Sequence, residues 1–259
     1  MKFMATADTD VGIVKEINQD SLLIKHASGP CGEVLMAVVC DGMGGLTKGE
    51  LASATVIRAF SRWFDRELPF ELEYPDMDII GGKWERMLMQ LNTKIMDHCS
   101  RINVGREKKI TMGTTFSGIL FVGDEYVIVH VGDTRVYQIS SGLKQLTEDQ
   151  TYVAREVKRG KMTPEEAKLD KRRNLLLQCV GASKTVHPQI IRGKTEKGTF
   201  VICSDGFRHE ISEDEICQHL SPINLVDKQT MHARTKELIE LVKSRRERDN
   251  ISAVVIKVS

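Results

Sequence analysis

Residues 34–45 read VLMAVVCDGMGG, seven apolar residues from Val34 to Cys40 that stop abruptly at Asp41 and a glycine-rich turn. An apolar run this short and this rich in branched side chains reads as a strand, and Asp-Gly is turn chemistry. Upstream lies a second apolar run, SLLIKHA, separated from the first by the turn-like SGPCGE, so the two form a strand pair. Downstream, Leu51, Ala54, Val56, Ile57, Phe60 and Phe64 recur at helical spacing, and Thr47 before Glu50 has the form of a capping box. The order is strand, glycine turn, helix.

Working outward, ELPFELEYPDMDIIGG carries two prolines and two adjacent glycines and fits a loop. WERMLMQLNTKIMDHCSRI then has the period of a second amphipathic helix, expected to pack antiparallel to the first on one face of a sheet. From Thr114 the period changes to two, in TTFSGILFVGDEYVIVHVGDTRVYQISSG, which predicts an antiparallel meander broken at Gly-Asp turns. Short helices follow, one opening at Thr163 with Pro164 in its first position. GTFVICSDG is another strand ending in Asp-Gly. Ser212 and Glu215 cap the next helix, a long one runs through ARTKELIELVKSRRE, and ISAVVIKV closes the pattern as a strand. No linker or repeat interrupts the series, so a single domain over 1–259 is expected.

Composition excludes several classes. With 37 Lys plus Arg against 36 Asp plus Glu, nothing favours nucleic acid or an anionic membrane as the main partner. No apolar run approaches the roughly 20 residues of a membrane span, and MKFMATADTD lacks signal-peptide features, so a cytoplasmic location and no membrane insertion are expected. The six cysteines show no CxxC pair or Cys/His cluster and read as reduced and structural. His26, His98, His130, His187, His219 and His232 share no ligand pattern.

The chemistry lies in a repetition. Asp41, Asp205 and Asp249 each fall at the boundary of a strongly apolar strand. Neighbouring strands bring their ends together, and three carboxylates at one point repel unless a cation offsets them. An oxygen-rich donor set suits Mg2+ or Mn2+ better than zinc. Gly42 would let the main chain approach closely and offer its carbonyl. The competing reading of GMGG, a phosphate cradle, lacks the Lys-Ser/Thr of a P-loop.

Here the chain resembles a known family, the metal-dependent type 2C protein serine/threonine phosphatases, and among them the compact bacterial members. TDVGIVKEINQDS, VVCDGMGG, GTTFSGILF, HVGDTRVYQI, LTEDQTYV, MTPEEA, RNLLLQCVG, CSDGF and RDNISAVVI occur in the family's order. The resemblance implies an α+β fold, a four-layer αββα sandwich of two antiparallel sheets flanked by helices. It implies a site for two Mn2+ or Mg2+ ions held by Asp41, the Gly42 carbonyl, Asp205 and Asp249, with Asp20 in contact directly or through water. Water activated between the cations would attack phosphoserine or phosphothreonine with no protein nucleophile, in keeping with the lack of a Cys-x5-Arg signature.

It also implies a flap over residues 149–181. A third metal is raised by Asp133, although His209 stands where the family carries a second aspartate. Lys15 occupies the place of a phosphate-gripping arginine, Gln19 that of an acidic residue, and Met43 that of a proposed general acid, which leaves water to protonate the leaving group. Partners would be phosphorylated proteins, including a serine/threonine kinase and its substrates, and the protein would be a monomer. A catalytically weak phosphoprotein-binding module and a small-molecule phosphatase are the alternative functions.

Overall fold

The computed structural model describes residues 1–29, 31–43 and 48–259. These form two five-stranded antiparallel sheets. In the first, β1 (Phe3–Asp10), β10 (Ile251–Val258), β9 (Gly198–Cys203), β6 (Arg135–Ile139) and β7 (Leu143–Gln145) lie in that order. In the second, the order is β2 (Ser21–Gly29), β3 (Gly32–Cys40), β4 (Phe116–Val122), β5 (Glu125–Val131) and β8 (Gln189–Lys194).

Strand β3 explains the layering. Its odd residues Leu35, Ala37 and Val39 meet Phe200, Ile202, Val254 and Ile256 of the other sheet, forming the central core. Its even residues Val34, Met36, Val38 and Cys40 face helices α1 (Gly49–Arg66) and α3 (Met77–Ile102). Both faces are covered, so the strand is apolar throughout. On the far side, Tyr137, Val201, Cys203, Ala253 and Val255 pack against α7 (Glu213–Leu220) and α8 (Lys228–Ser244). The stack is helix, sheet, sheet, helix, as expected. Cys40 and Cys203 are buried in it with free thiols.

Trp63 and Trp84 join α1 to α3, their rings 5.5 Å apart and nearly perpendicular. The expected caps at Thr163 and Ser212 both close as capping boxes, on α5 (Pro164–Leu169) and α7. The one at Thr47 lies outside the described residues. Leu51, expected on the inner face of α1, points outward. No helix among the described residues is long and apolar enough to cross a membrane.

The structure corrects two expectations. The stretch from Thr114 is not one meander: β4 and β5 pair as a hairpin, then the chain crosses between sheets at Gly132-Asp133-Thr134, and β6 pairs with β9 and β7. Period-two patterning is the same whichever sheet receives the strand. The predicted loop around residues 67–82 is largely helical. After α2 (Leu68–Glu71), α3 starts at Met77, capped by the Asp76 side chain, and runs through Gly81-Gly82. A Cβ on Gly81 would sit 3.1 Å from Ile190 and 3.2 Å from Val127, so the glycine brings the helix onto the sheet. Strands β1 and β8 carry too weak an apolar pattern to be read from sequence. β1 is nevertheless paired along its whole length with β10, from Phe3 opposite Val258 to Asp10 opposite Ile251.

Candidate metal centre

Three strand ends and one loop converge at one edge of the sandwich. Asp41 follows β3, and its backbone is pinned from β4's approach: its N–H donates to Thr115 Oγ1 at 2.9 Å, and its carbonyl accepts from Thr115 N at 2.8 Å and Thr114 Oγ1 at 2.9 Å. Gly42 donates to the Gln19 carbonyl. A Cβ there would fall 2.5 Å from that oxygen and 2.6 Å from the Gly49 backbone, so two passing segments of main chain already demand glycine.

Asp205 opens the short helix α6 (Asp205–Arg208) directly after β9. A Cβ on Gly206 would lie 2.2 Å from the Asn250 carbonyl oxygen, which shows how closely α6 sits on the turn that carries Asp249. That turn begins at the end of α8, where Arg246 N and Glu247 N donate to the carbonyls of Lys243 and Val242. These paired bonds close the helix and reverse the chain. The Glu247 carboxylate then accepts from the N–H groups of Arg248 and Asp249, at 2.7 and 2.9 Å. Asn250 fastens the loop preceding β2, accepting from Gln19 N and donating to the carbonyls of Val11 and Ile17.

Asp20 sits in the middle of this frame. Both of its carboxylate oxygens are buried without a hydrogen-bond partner. The hydroxyls of Ser252 and Ser204 face them and favour the charged form, but neither is placed to close a bond. Burial, with the carboxylates of Asp205 and Asp249 nearby, pushes the Asp20 carboxyl up to about 7. Asp41 is held well above the carboxylate range by burial and by Asp20, Asp205, Asp133 and Asp249 around it. Asp133, in the crossing between the sheets, is raised to about 7 by burial and by Asp205, with Arg208 opposing. It is therefore no hairpin turn but part of the same acidic group.

The carboxylates of Asp205 and Asp249 are near enough to Asp20 and Asp41, and that of Asp205 to Asp133, to help push those three carboxyls up. Among the described residues, no three acidic, histidine or cysteine side chains form a ready-made coordination group. A divalent cation is the species that would offset the mutual repulsion of these carboxylates. The orphaned oxygens of Asp20 and the all-oxygen donor set fit such an ion. Asp41, the Gly42 carbonyl, Asp205, Asp249 and Asp20 could hold it.

Lys15 stands at the edge, its Nζ 2.9 Å from Asp249 Oδ1. His209 lies between two acids, 3.8 Å from Asp205 and 3.6 Å from Glu247, which keep its imidazole more basic than usual against the effect of burial. Glu247, Asn250 and Arg208 were not legible as site residues, since nothing in their sequence spacing points inward. Arg208 donates to the Asp133 carbonyl at 3.2 Å and lies 3.5 Å from Asp149, which Arg135 grips with two hydrogen bonds of 2.8 Å. His130 is a core residue, bonded to Ser117 and to the Glu148 carbonyl.

A family model described as protein phosphatase 2C matches residues 13–253. The serine/threonine protein phosphatase PstP of Mycobacterium tuberculosis is 32% identical over 257 residues, which cover 97% of this chain and 44% of that protein. The chain thus spans less than half the length of that relative. Serine/threonine phosphatase Stp1 from Staphylococcus aureus superposes with a TM-score of 0.85 at 25% identity, over 100% of this chain and 96% of that one. The catalytic domain of PstP in complex with two manganese ions superposes with a TM-score of 0.75 at 27% identity, over 98% and 97%. By the match along nearly its whole length and by its fold, the chain belongs to the protein phosphatase 2C family.

Proposed function

We propose that this chain is a metal-dependent protein serine/threonine phosphatase. The observation that carries the reading is the buried acidic group in which Asp20 has two unpartnered oxygens and Asp41 is raised by burial and by four neighbouring aspartates. Asp41, Asp205, Asp249 and the Gly42 carbonyl are the residues to hold two Mn2+ or Mg2+ ions, with Asp20 completing the set. When bound, such ions supply a nucleophilic water at neutral pH and offset the charge of the phosphoryl oxygens.

The chain's own groups do the rest. Lys15 is about one-third exposed beside Asp249 and can turn its ammonium to a phosphoryl oxygen once Asp249 is otherwise neutralised. Met43 offers no proton, so water protonates the leaving oxygen. Asp133 would serve a third ion, but His209 turns to Glu247 and Asp205 and supplies no carboxylate there. Residues 149–181, with α4 (Tyr152–Lys158) and α5, act as the flap: they wall a cleft of about 1560 Å³ that also reaches Asp133 and His209. The reading carries with it a phosphoprotein substrate, a serine/threonine kinase as opposing enzyme, and a monomeric cytoplasmic protein.

The test is phosphate release from a phosphothreonine peptide. We expect turnover with Mn2+ or Mg2+, its loss on adding EDTA, and its loss in Asp41→Ala and Asp205→Ala. Turnover indifferent to metal would overturn the proposal.

A further inference from the structure

A second, smaller cavity of about 390 Å³ adjoins the acidic centre, lined by Lys15, Asp249 and the turn that follows α8. It shares a wall with the large flap cleft, since Arg173, Asn174 and His209 line both. A polypeptide lying in the cleft can therefore reach into the smaller cavity.

The charge of that cavity is unbalanced. Arg173, Arg246 and Arg248 line it and are all exposed. Among the described residues none of the three guanidiniums has a carboxylate partner, Arg173 making only a 3.4 Å bond to the Lys168 carbonyl. The acids are largely spoken for: Asp249 is bound by Lys15, and Glu247 by two backbone N–H groups and His209. Only Glu210 remains to oppose three cations.

Arg246 has φ of 68° and, among the described residues, is the non-glycine residue with positive φ. It holds the position after the helix end that glycine fills most easily, and its left-handed backbone sets the direction in which the side chain leaves the turn.

We infer that this cavity is an anion-binding rim that selects phosphopeptides bearing a second negative charge near the scissile phosphate, either a carboxylate or another phosphate. The inference rests on the proposed phosphatase reading of the adjoining centre. Guanidinium forks bind both kinds of oxyanion in two-pronged fashion.

The experiment uses three phosphothreonine peptides of one sequence: with neutral flanks, with glutamate flanks, and with a second phosphothreonine. Exposed ion pairs are each worth about twofold to fivefold at low salt, so kcat/KM with Mn2+ should favour the anionic peptides by about tenfold and the preference should shrink with added salt. In Arg246→Gln/Arg248→Gln, and further with Arg173→Gln, the ratio of anionic to neutral peptide should approach one. Fluorescence anisotropy in EDTA should give the same ranking of binding, because the rim needs no metal.

A gain for both anionic peptides supports the inference and assigns a general anion site; a gain for the doubly phosphorylated peptide alone supports it and assigns phosphate. Equal handling of all three peptides by the wild type, or a preference that survives the arginine substitutions, overturns it. Preferential binding without phosphate release upholds the rim while overturning the phosphatase reading.

Discussion

Removing one charge from the buried acidic group should stabilise the metal-free protein, and Asp20→Asn does this at the residue whose oxygens have no partner. In the fold the Asp20 carboxyl keeps its proton up to about pH 7, against an ordinary value of 3.8. Between those values the unfolded chain releases the proton and the folded chain does not. The contribution of Asp20 to metal-free stability therefore falls as pH rises from about 4 to about 7, then levels off. At 1.36 kcal/mol per pH unit the penalty from this residue reaches about 4 kcal/mol above neutrality. The buried asparagine amide loses its own hydrogen bonds to water, which reduces the net gain to about 1–3 kcal/mol. Urea unfolding in EDTA at about pH 8 reads the gain, and the same comparison at about pH 4 should show almost none. A variant no more stable than wild type at the higher pH, or equally favoured at both, would refute the reasoning.

Three further outcomes follow from the same geometry. Mn2+ at a hundredfold excess over its Kd should raise wild-type stability by about 2.7 kcal/mol, seen as a higher Tm, whereas Asp41→Ala should show no such rise. Gly206→Ala places a methyl against the Asn250 carbonyl and should cost more than about 2 kcal/mol in denaturant unfolding, since backbone must move to admit it. His130 is buried and holds its imidazole neutral down to about pH 4. It thus contributes stability above its unfolded value of 6.5 that is lost as pH falls from 6.5 to 4, about 3 kcal/mol in all. An NMR titration of that ring with a midpoint near 6.5 would exclude this.

The site was legible wherever function coincided with a local signal. Asp41, Asp205 and Asp249 each interrupt an apolar strand, and that interruption shows in one dimension. Arg208, Glu247 and Asn250 gave no such signal, because their roles consist of reaching the Asp133 carbonyl, the N–H groups of residues 248 and 249, and the loop around residues 11–19. Lys15 carries no local signal for its ion pair with Asp249, because the two residues meet only in the folded chain. Asp133 looked like half of a hairpin, because the strands on either side of it pattern alike even though they belong to different sheets.

Strand β3, helix α1, the caps at Thr163 and Ser212 and the three acidic strand ends were set by residues within a few positions of one another, where periodicity and turn chemistry act. Which sheet receives β6, where β1 pairs, how far Asp20 and Asp41 are pushed from ordinary acidity, and which arginines are left without partners were decided by tertiary structure alone. Charge interactions depend on distance and burial in space, and residues 20, 41, 133, 205 and 249 acquire those only when the two sheets close.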